Sequence, residues 1–348
     1  MIYLCYGDKR ILENRYESMK KFVDWRAETA KNYIHKEAVF GDWLAIDIPG
    51  GECSGSPTPK DLIATAYMAK TTEILSKVAN ILGKTADAKK YATLLKKIKS
   101  AFNDEFVSPS GRILGDTQAS YLLALDFDLL DAEKRKAAGL NLIKTIDKWK
   151  GHLATGFVGT PLLAPVLTSI GHTDVAYKLL LKQTYPSWLY TVLQGATTMW
   201  ERWNSYTKDK GFGSASMNSF NHYAYGAIGE WMVSTVAGLG LDEKEPGYKH
   251  IVIKPQPGEG VTWAKAELIT RHGLASSAWK IENGIMTTNV IVPPNTYATV
   301  ILPGKEPLQC KAGQYEFSEA FSSVELKDQK RSKTKKSKHK KLNKVAAQ

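Results

Sequence analysis

Apolar residues recur at intervals of three and four positions through most of the first 245 residues of the chain. Between residues 9 and 33, for example, Ile11, Tyr16, Met19 and Val23 are separated by charged residues, which is the pattern of an amphipathic helix. The same period, together with proline, glycine and capping signals, predicts a series of helices. They cover residues 9–33, 56–84, 85–102, 117–125, 132–149, 159–171, 173–182 and 218–238.

The connections between these helices are short, so consecutive helices are expected to pack as antiparallel pairs. Almost no strand pattern occurs before residue 245, which predicts an all-α domain of stacked helical hairpins, either a helical barrel or a solenoid. The fold class is therefore mainly α.

Beyond Pro246 the pattern changes to short segments rich in Val, Ile, Thr and aromatic residues, separated by Gly, Pro and Asn. These segments predict a small antiparallel β-sandwich of roughly 70 residues. They cover residues 249–255, 262–273, 275–284, 285–294 and 296–304. The predicted domains are residues 1–243 and 244–320, followed by a basic tail over 321–348.

The net charge of +12 is concentrated in that tail, where residues 327–344 contain ten Lys or Arg and one Asp. With few apolar residues to bury, the tail is expected to be a disordered, solubilising or incidental extension. The alternative is that it binds RNA, an anionic membrane or a partner by charge alone. The rest of the chain is nearly neutral, so no specific nucleic-acid partner is predicted.

Other features limit location and cofactors. The sequence contains no long apolar run that would span a membrane and no visible export signal, so a cytoplasmic protein is expected. A periplasmic or secreted protein is the alternative if the true N-terminus is missing. Cys5, Cys53 and Cys310 are widely spaced and lack metal-ligand spacing, which favours free thiols and predicts neither a metal nor a cofactor.

Candidate chemistry lies where aromatic residues concentrate, because residues 185–231 contain eleven of them in 47 positions. Aromatic rings beside carboxylates suit sugars, which stack C–H faces on rings and offer hydroxyls to polar groups. Glu201 stands in the sequence TMWERWN between Trp200 and Trp203, and is the leading catalytic candidate as a base near neutral pH. A structural ion pair between Glu201 and Arg202 remains the alternative.

Two further segments repeat this association. Asp42 and Trp43 stand together in VFGDWLA, although Asp42 could simply cap a turn. His222 stands in NSFNHYAYG, where it could bind a sugar hydroxyl or serve only as a hydrogen-bonded structural residue. Loop acids Asp47, Glu52 and Asp116 are not ranked by the sequence.

Longer phrases, in their order along the chain, resemble the bacterial α-L-rhamnosidases, the family 78 glycoside hydrolases. The phrases are FGDWLA, GHLATGFVGTPLLAPVL, LLLKQTYPSWLY, QGATTMWERWNS, SMNSFNHYAYGAIGEWM, PGYKHIVIKPQP and TWAKAELITRHG. The resemblance runs from about Tyr3 to Gly304 and implies an (α/α)6 barrel followed by a β-sandwich.

The resemblance also implies inverting hydrolysis of terminal α-L-rhamnosyl bonds in a rhamnose-containing glycoside or polysaccharide. It assigns Glu201 as the general base, Trp43 to the rhamnose pocket and His222 to a sugar contact. Asp42 and Trp200 are added as substrate-binding candidates because they adjoin these residues.

One part of the family pattern is missing. Relatives carry the general acid in a stretch resembling DCPQRDERLGWTGD, upstream of the phrase YGDKRILE, and nothing like it occurs here. The expectation is an N-terminally truncated enzyme with an incomplete barrel, an exposed apolar stripe and little or no activity alone, whose partner would be the missing portion. The alternative function is a non-catalytic carbohydrate-binding remnant.

Overall fold

The computed structural model describes residues 1–36, 40–46 and 57–321. Asp47, Glu52, Cys53 and the predicted tail after Phe321 lie outside these ranges. Contacts divide the chain into two compact units, one over Lys9–Ile228 and one that joins Met1–Asp8 to the chain from Gly229 onward. The domain limits given above at residues 243 and 320 stay predictions.

The first unit contains mostly helices. The helices of the described chain are α1 Ile2–Tyr6, α2 Arg10–Thr29, α3 Lys60–Ile81, α4 Thr85–Phe106, α5 Gln118–Asp126, α6 Ala132–Lys148, α7 Thr160–Ser169, α8 Thr173–Leu180, α9 Trp188–Leu193 and α10 Ile228–Trp231. A 3-10 turn over Ala224–Ala227 precedes α10, and a π turn over Met232–Val236 follows it. No helix in the described ranges is long and apolar enough to cross a bilayer.

The helices predicted before residue 182 are confirmed, with ends that differ by a few residues. The predicted helix over 218–238 is correct only from Ala224 onward. Residues 219–222 are not helical, because the backbone N–H of His222 donates to the Met199 carbonyl (2.8 Å) and that of Glu201 to the Ser219 carbonyl (2.9 Å). Those bonds draw the segment away from a helical path.

Consecutive helices form the hairpin pairs that the short connections predict, with α3 against α4, α5 against α6 and α7 against α8. The cluster between α2, α3 and α4 buries Tyr16, Val23, Leu75 and Tyr91. Each such large apolar side chain contributes about 1.5–3 kcal/mol when fully buried. This core fixes α2 and α3, and residues 40–46, which include Asp42 and Trp43, lie in the connection between these two helices.

Helix α5 is buried along nearly its whole length and carries Gln118 at its first position. The Gln118 amide accepts a hydrogen bond from the Ala154 N–H (2.8 Å) and donates one to the His152 carbonyl (3.1 Å). Thr117 caps the same helix by accepting from the Ser120 N–H. The segment that leads into α7 is thereby held against α5.

Strands β1 Tyr206–Thr207 and β2 Gly211–Phe212 form a small hairpin in the helical unit. Up to Phe321, where the described residues end, the second unit contains one six-stranded sheet. Its strands are β3 Leu239–Leu241, β4 His250–Ile253, β5 Trp263–Thr270, β6 Gly273–Glu282, β7 Ile285–Val300 and β8 Leu308–Ala320. The order is β3-β4-β7-β6-β5, and β8 pairs with the other side of β7.

The prediction of an antiparallel sheet is wrong for one pair, because β4 and β7 run parallel, with Ile251 opposite Ala298. The reason is the length of β7, which joins two segments predicted as separate strands. A register shift between Val292 and Tyr297 divides β7, so its first part pairs with β6 and its last part with β4. The sheet is therefore mixed, and all six strands belong to it.

Candidate active site

Asp42 joins two parts of the helical unit that are more than 110 residues apart. Its carboxylate accepts the backbone N–H of Gly156 on Oδ2 (2.9 Å), and those of Val158 (2.8 Å) and Gly159 (3.0 Å) on Oδ1. The residue is only 1% exposed. Burial raises the pKa of the Asp42 carboxyl, and the three donors oppose that rise. In this structure Asp42 holds protein backbone, and its direct contact with a sugar stays a prediction.

The backbone around Asp42 reinforces this junction. The Trp43 carbonyl accepts the Phe157 N–H (2.9 Å), and the Ile46 N–H donates to the Ala154 carbonyl (3.0 Å). Gly156 has no room for a side chain, because a Cβ there would lie 2.1 Å from the Trp43 carbonyl oxygen. The glycine is therefore required by the close approach of two chain segments.

Trp43 is half-buried, and the Phe40 ring packs edge-on against its indole at 5.8 Å. Since its carbonyl is fixed to Phe157, the indole is held at the end of a rigid turn. A partly exposed indole of this kind offers an apolar face to a ligand.

Phe157 links this turn to His222. The two rings stack at 4.6 Å, and the His222 ring also stacks on Tyr223 at 5.6 Å with an angle of 8°. The His222 Nδ1 accepts the Ala224 N–H (3.3 Å), which leaves Nε2 as the N–H donor of a neutral ring. Trp43 and His222 are thus brought together through Phe157.

Sequence reasoning missed Phe157 as a site residue. The signal that could have found it is its position between Gly156 and Gly159 in the phrase GHLATGFVGT, where glycines permit close backbone approach.

Glu201 is 8% exposed, and one of its carboxylate oxygens is fixed. Oε2 accepts the Ser219 N–H (2.8 Å), while the Glu201 N–H donates to the Ser219 carbonyl (2.9 Å). Within the described residues, Oε1 accepts no hydrogen bond. This bond fixes the orientation of the carboxylate, and the role of Glu201 as a base stays a prediction.

Arg202 does not pair with Glu201 in the part of the chain that the structure describes. Its guanidinium Nε donates instead to the Met217 carbonyl (3.0 Å), and its backbone N–H donates to the Ser205 hydroxyl (3.2 Å). The ion pair that the sequence left open is therefore replaced by two contacts that fix the loop around Glu201.

The tryptophans on either side of Glu201 lie in an aromatic cluster. Trp200 is 6% exposed and packs edge-on against Phe220 at 5.4 Å, and Trp203 stacks on Tyr225 at 4.0 Å. Both indoles are therefore buried among other aromatic rings. A direct contact of Trp200 with substrate stays a prediction.

Asp116 is occupied by neighbours on its own loop. Its carboxylate accepts from the Tyr121 hydroxyl (2.5 Å) and from the Arg112 guanidinium (2.8 Å). Although burial opposes it, these two donors hold the pKa of Asp116 below its usual range. Asp116 therefore resembles a structural carboxylate more than a proton donor.

Two family models match most of the chain. The bacterial alpha-L-rhamnosidase 6 hairpin glycosidase domain matches residues 1–236, and the bacterial alpha-L-rhamnosidase C-terminal domain matches residues 240–316.

Individual relatives agree. The chain is 42% identical to an alpha-L-rhamnosidase of Streptomyces avermitilis over 88% of this chain and 28% of the relative, and 42% identical to one of Formosa agariphila over 95% and 35%. The chain thus spans about a third of the length of these curated relatives.

Solved structures give the same result. A crystal structure of the Streptomyces avermitilis alpha-L-rhamnosidase complexed with L-rhamnose superposes with a TM-score of 0.85 at 38% identity, covering 91% of this chain and 32% of that one. The native Aspergillus terreus enzyme superposes with a TM-score of 0.83 at 33% identity, covering 91% and 37%.

Proposed function

We propose, from the premise that this chain belongs to the family of bacterial α-L-rhamnosidases with a six-hairpin glycosidase domain, that it takes part in hydrolysing terminal α-L-rhamnosyl residues. The substrate class is a rhamnose-containing glycoside or polysaccharide. The observation that carries the proposal is the setting of Glu201, whose Oε2 is held by the Ser219 N–H while Oε1 accepts no hydrogen bond within the described residues.

In the proposed reaction Glu201 is the general base. Its Oε1 accepts a proton from a water molecule, whose oxygen attacks the anomeric carbon while the bond to the leaving oxygen breaks. A carboxylic acid on the opposite side protonates that leaving oxygen, so the configuration inverts. In inverting enzymes the two carboxyl groups lie about 6.5–9.5 Å apart to leave room for the water.

Trp43 and His222 bind the sugar in this proposal. The half-buried indole of Trp43 offers an apolar face to the rhamnose ring, and the His222 Nε2–H donates to a hydroxyl. Asp42 acts indirectly in this proposal. Its carboxylate fixes the loop that carries Phe157, and Phe157 in turn holds the Trp43 carbonyl through its N–H and stacks on His222. Asp42 is a positioning residue here.

The general acid is not assigned to any residue of this chain. The sequence contains no stretch like the acid-bearing one of the family, and general acid catalysis is typically worth about 10²- to 10⁴-fold. We therefore propose that the 348-residue chain alone hydrolyses rhamnosides weakly or not at all.

The test measures binding and turnover separately. Calorimetry on the 348-residue chain with L-rhamnose should show binding, and a chromogenic rhamnoside should be cleaved only when an upstream segment of a relative is supplied. Under those conditions Glu201→Gln should abolish cleavage, while Glu259→Gln, at an exposed position, should not.

Three outcomes would contradict the proposal. Rapid cleavage by the chain alone would refute the assignment of the acid outside it, and full activity of Glu201→Gln would refute the base. L-rhamnose binding without cleavage under any condition would instead establish the carbohydrate-binding remnant.

A further inference from the structure

The outer strand of the sheet, β5, has one free edge within the described residues. It is the last strand in the order β3-β4-β7-β6-β5, and its only strand partner there is β6. The edge is eight residues long and carries no proline. An edge of this length with unpaired backbone groups is a template for adding another strand.

The backbone groups that face this edge follow from the pairing with β6. The Ile281 N–H donates to the Thr262 carbonyl, and Thr270 pairs with Gly273 at the hairpin end, so even-numbered residues of β5 bond to β6. Odd-numbered residues, including Lys265 and Glu267, therefore direct their N–H and C=O groups to the free edge.

The same odd-numbered residues carry the exposed side chains. Trp263 is 64% exposed and Ile269 is 84% exposed, whereas Ala266 on the opposite face is buried in the core of the sheet. Lys265 and Glu267 lie between these apolar residues, with their charged groups 2.9 Å apart. Large apolar side chains that are this exposed are typical of a surface that another protein molecule covers.

The order Trp263, Lys265, Glu267, Ile269 is complementary to itself when read in the opposite direction. We propose that β5 pairs with β5 of a second copy of this chain, antiparallel, about a two-fold axis at Ala266. Lys265 then lies opposite the partner's Glu267, and Trp263 opposite the partner's Ile269. Each of these pairs exchanges its edge-facing N–H and C=O groups, and the two sheets become continuous.

Charge selects this register over its neighbours. Sliding one strand by two residues places Lys265 opposite the partner's Lys265, or Glu267 opposite the partner's Glu267. Sliding it by one residue places the exposed side chains on the wrong face of the joined sheet. Like charges directly opposite one another destabilise a strand pair, so one register is favoured.

The experiment uses sedimentation velocity on the full 348-residue chain over a wide concentration range. The wild type should form dimers. Lys265→Glu and Glu267→Lys each set like charges opposite one another twice in the dimer, and each should weaken dimerisation at least about tenfold. The matched control Glu282→Lys, on the neighbouring strand β6, should leave it unchanged.

Mixing distinguishes this pairing from an effect within one chain. In a heterodimer of Lys265→Glu with Glu267→Lys, one chain has glutamate at positions 265 and 267 and the other has lysine at both. Each charged residue at these positions therefore again lies opposite a residue of the other sign. The two variants, each monomeric alone, should therefore associate when mixed. The double variant Lys265→Glu/Glu267→Lys should dimerise like the wild type.

Several results would overturn the proposal. A wild type that stays monomeric at every concentration would do so, as would single variants that dimerise normally or a mixture that fails to associate. Amide protons of Lys265 and Glu267 protected from exchange in the monomer would show that another segment of the chain covers the edge, which also overturns it. None of these readouts depends on rhamnoside hydrolysis.

Discussion

Removing the carboxylate of Asp42 should lower the unfolding free energy of the helical unit. The size of the loss follows from the three backbone N–H groups that this carboxylate accepts. In Asp42→Asn the amide oxygen can keep the Val158 and Gly159 N–H groups, which share Oδ1, but the amide NH₂ then faces the Gly156 N–H. One buried donor loses its acceptor, which costs about 1–3 kcal/mol.

Asp42→Ala leaves all three buried N–H groups without an acceptor. Water entering the cavity offsets part of the loss, so the expected cost is about 3–5 kcal/mol. A typical domain is stable by only about 5–15 kcal/mol. The alanine variant should therefore be only marginally folded, and the asparagine variant clearly folded.

Urea unfolding followed by circular dichroism measures these free energies. The matched control is Asp128→Asn, whose carboxylate is 72% exposed and pairs with Lys99 on the surface. Such a pair is worth less than about 1 kcal/mol. Hydrogen exchange should show the amides of Gly156, Val158 and Gly159 faster in both Asp42 variants.

The pH dependence has a definite sign. Because the pKa of Asp42 is raised in the folded protein, the folded state holds this proton more tightly than the unfolded state. The difference in unfolding free energy between the wild type and Asp42→Asn should therefore shrink as pH rises from about 4 through the raised pKa.

The reasoning is refuted if Asp42→Ala lowers the unfolding free energy no more than Asp128→Asn does. It is also refuted if the amides of Gly156, Val158 and Gly159 exchange at wild-type rates in the Asp42 variants.

Further predictions concern the same unit. Gly156→Ala places a methyl group against the Trp43 carbonyl and should lower the unfolding free energy by at least about 3 kcal/mol; a loss below 1 kcal/mol in urea unfolding would contradict it. Phe157→Leu removes the ring that stacks on His222 and should weaken L-rhamnose binding about three- to tenfold in calorimetry; unchanged affinity would contradict this role. Asp24 has its pKa lowered to about 2, since hydrogen bonds from Lys20, Lys90 and Tyr91 outweigh burial. Its stabilisation, about 1 kcal/mol after solvent screening, should be present above pH 4 and lost towards pH 2, and Asp24→Asn should abolish that pH-dependent part of the unfolding free energy.

Much of the helical unit could be predicted because its signals are local. The local signals include the apolar period of α2, Gly83 just after the end of α3, and Asp131, whose side chain caps α6 by accepting the Lys134 N–H. The strands β5 and β6 were predictable for the same reason. By contrast, β8 escaped prediction because its largely exposed residues give little apolar alternation.

The candidate site was predictable only in part. Glu201 and His222 were found because aromatic density and the family phrases lie around them in the sequence. The junction between Asp42 and the loop at Phe157 could not be found this way, since the bonded groups are 114–117 residues apart. Separations of that size carry no periodic pattern.

The sequence by itself determined the helices α2 to α8, the strands β4 to β7 and the family, because short-range period and phrase order are local features of the chain. Only the tertiary structure decided that Asp42 holds backbone, that Arg202 turns away from Glu201, and that β4 runs parallel to β7. Each of these depends on which distant groups meet once the cores have packed. Buried polar groups in folded proteins are hydrogen-bonded, so the partner of each group depends on which donors or acceptors the packing places beside it.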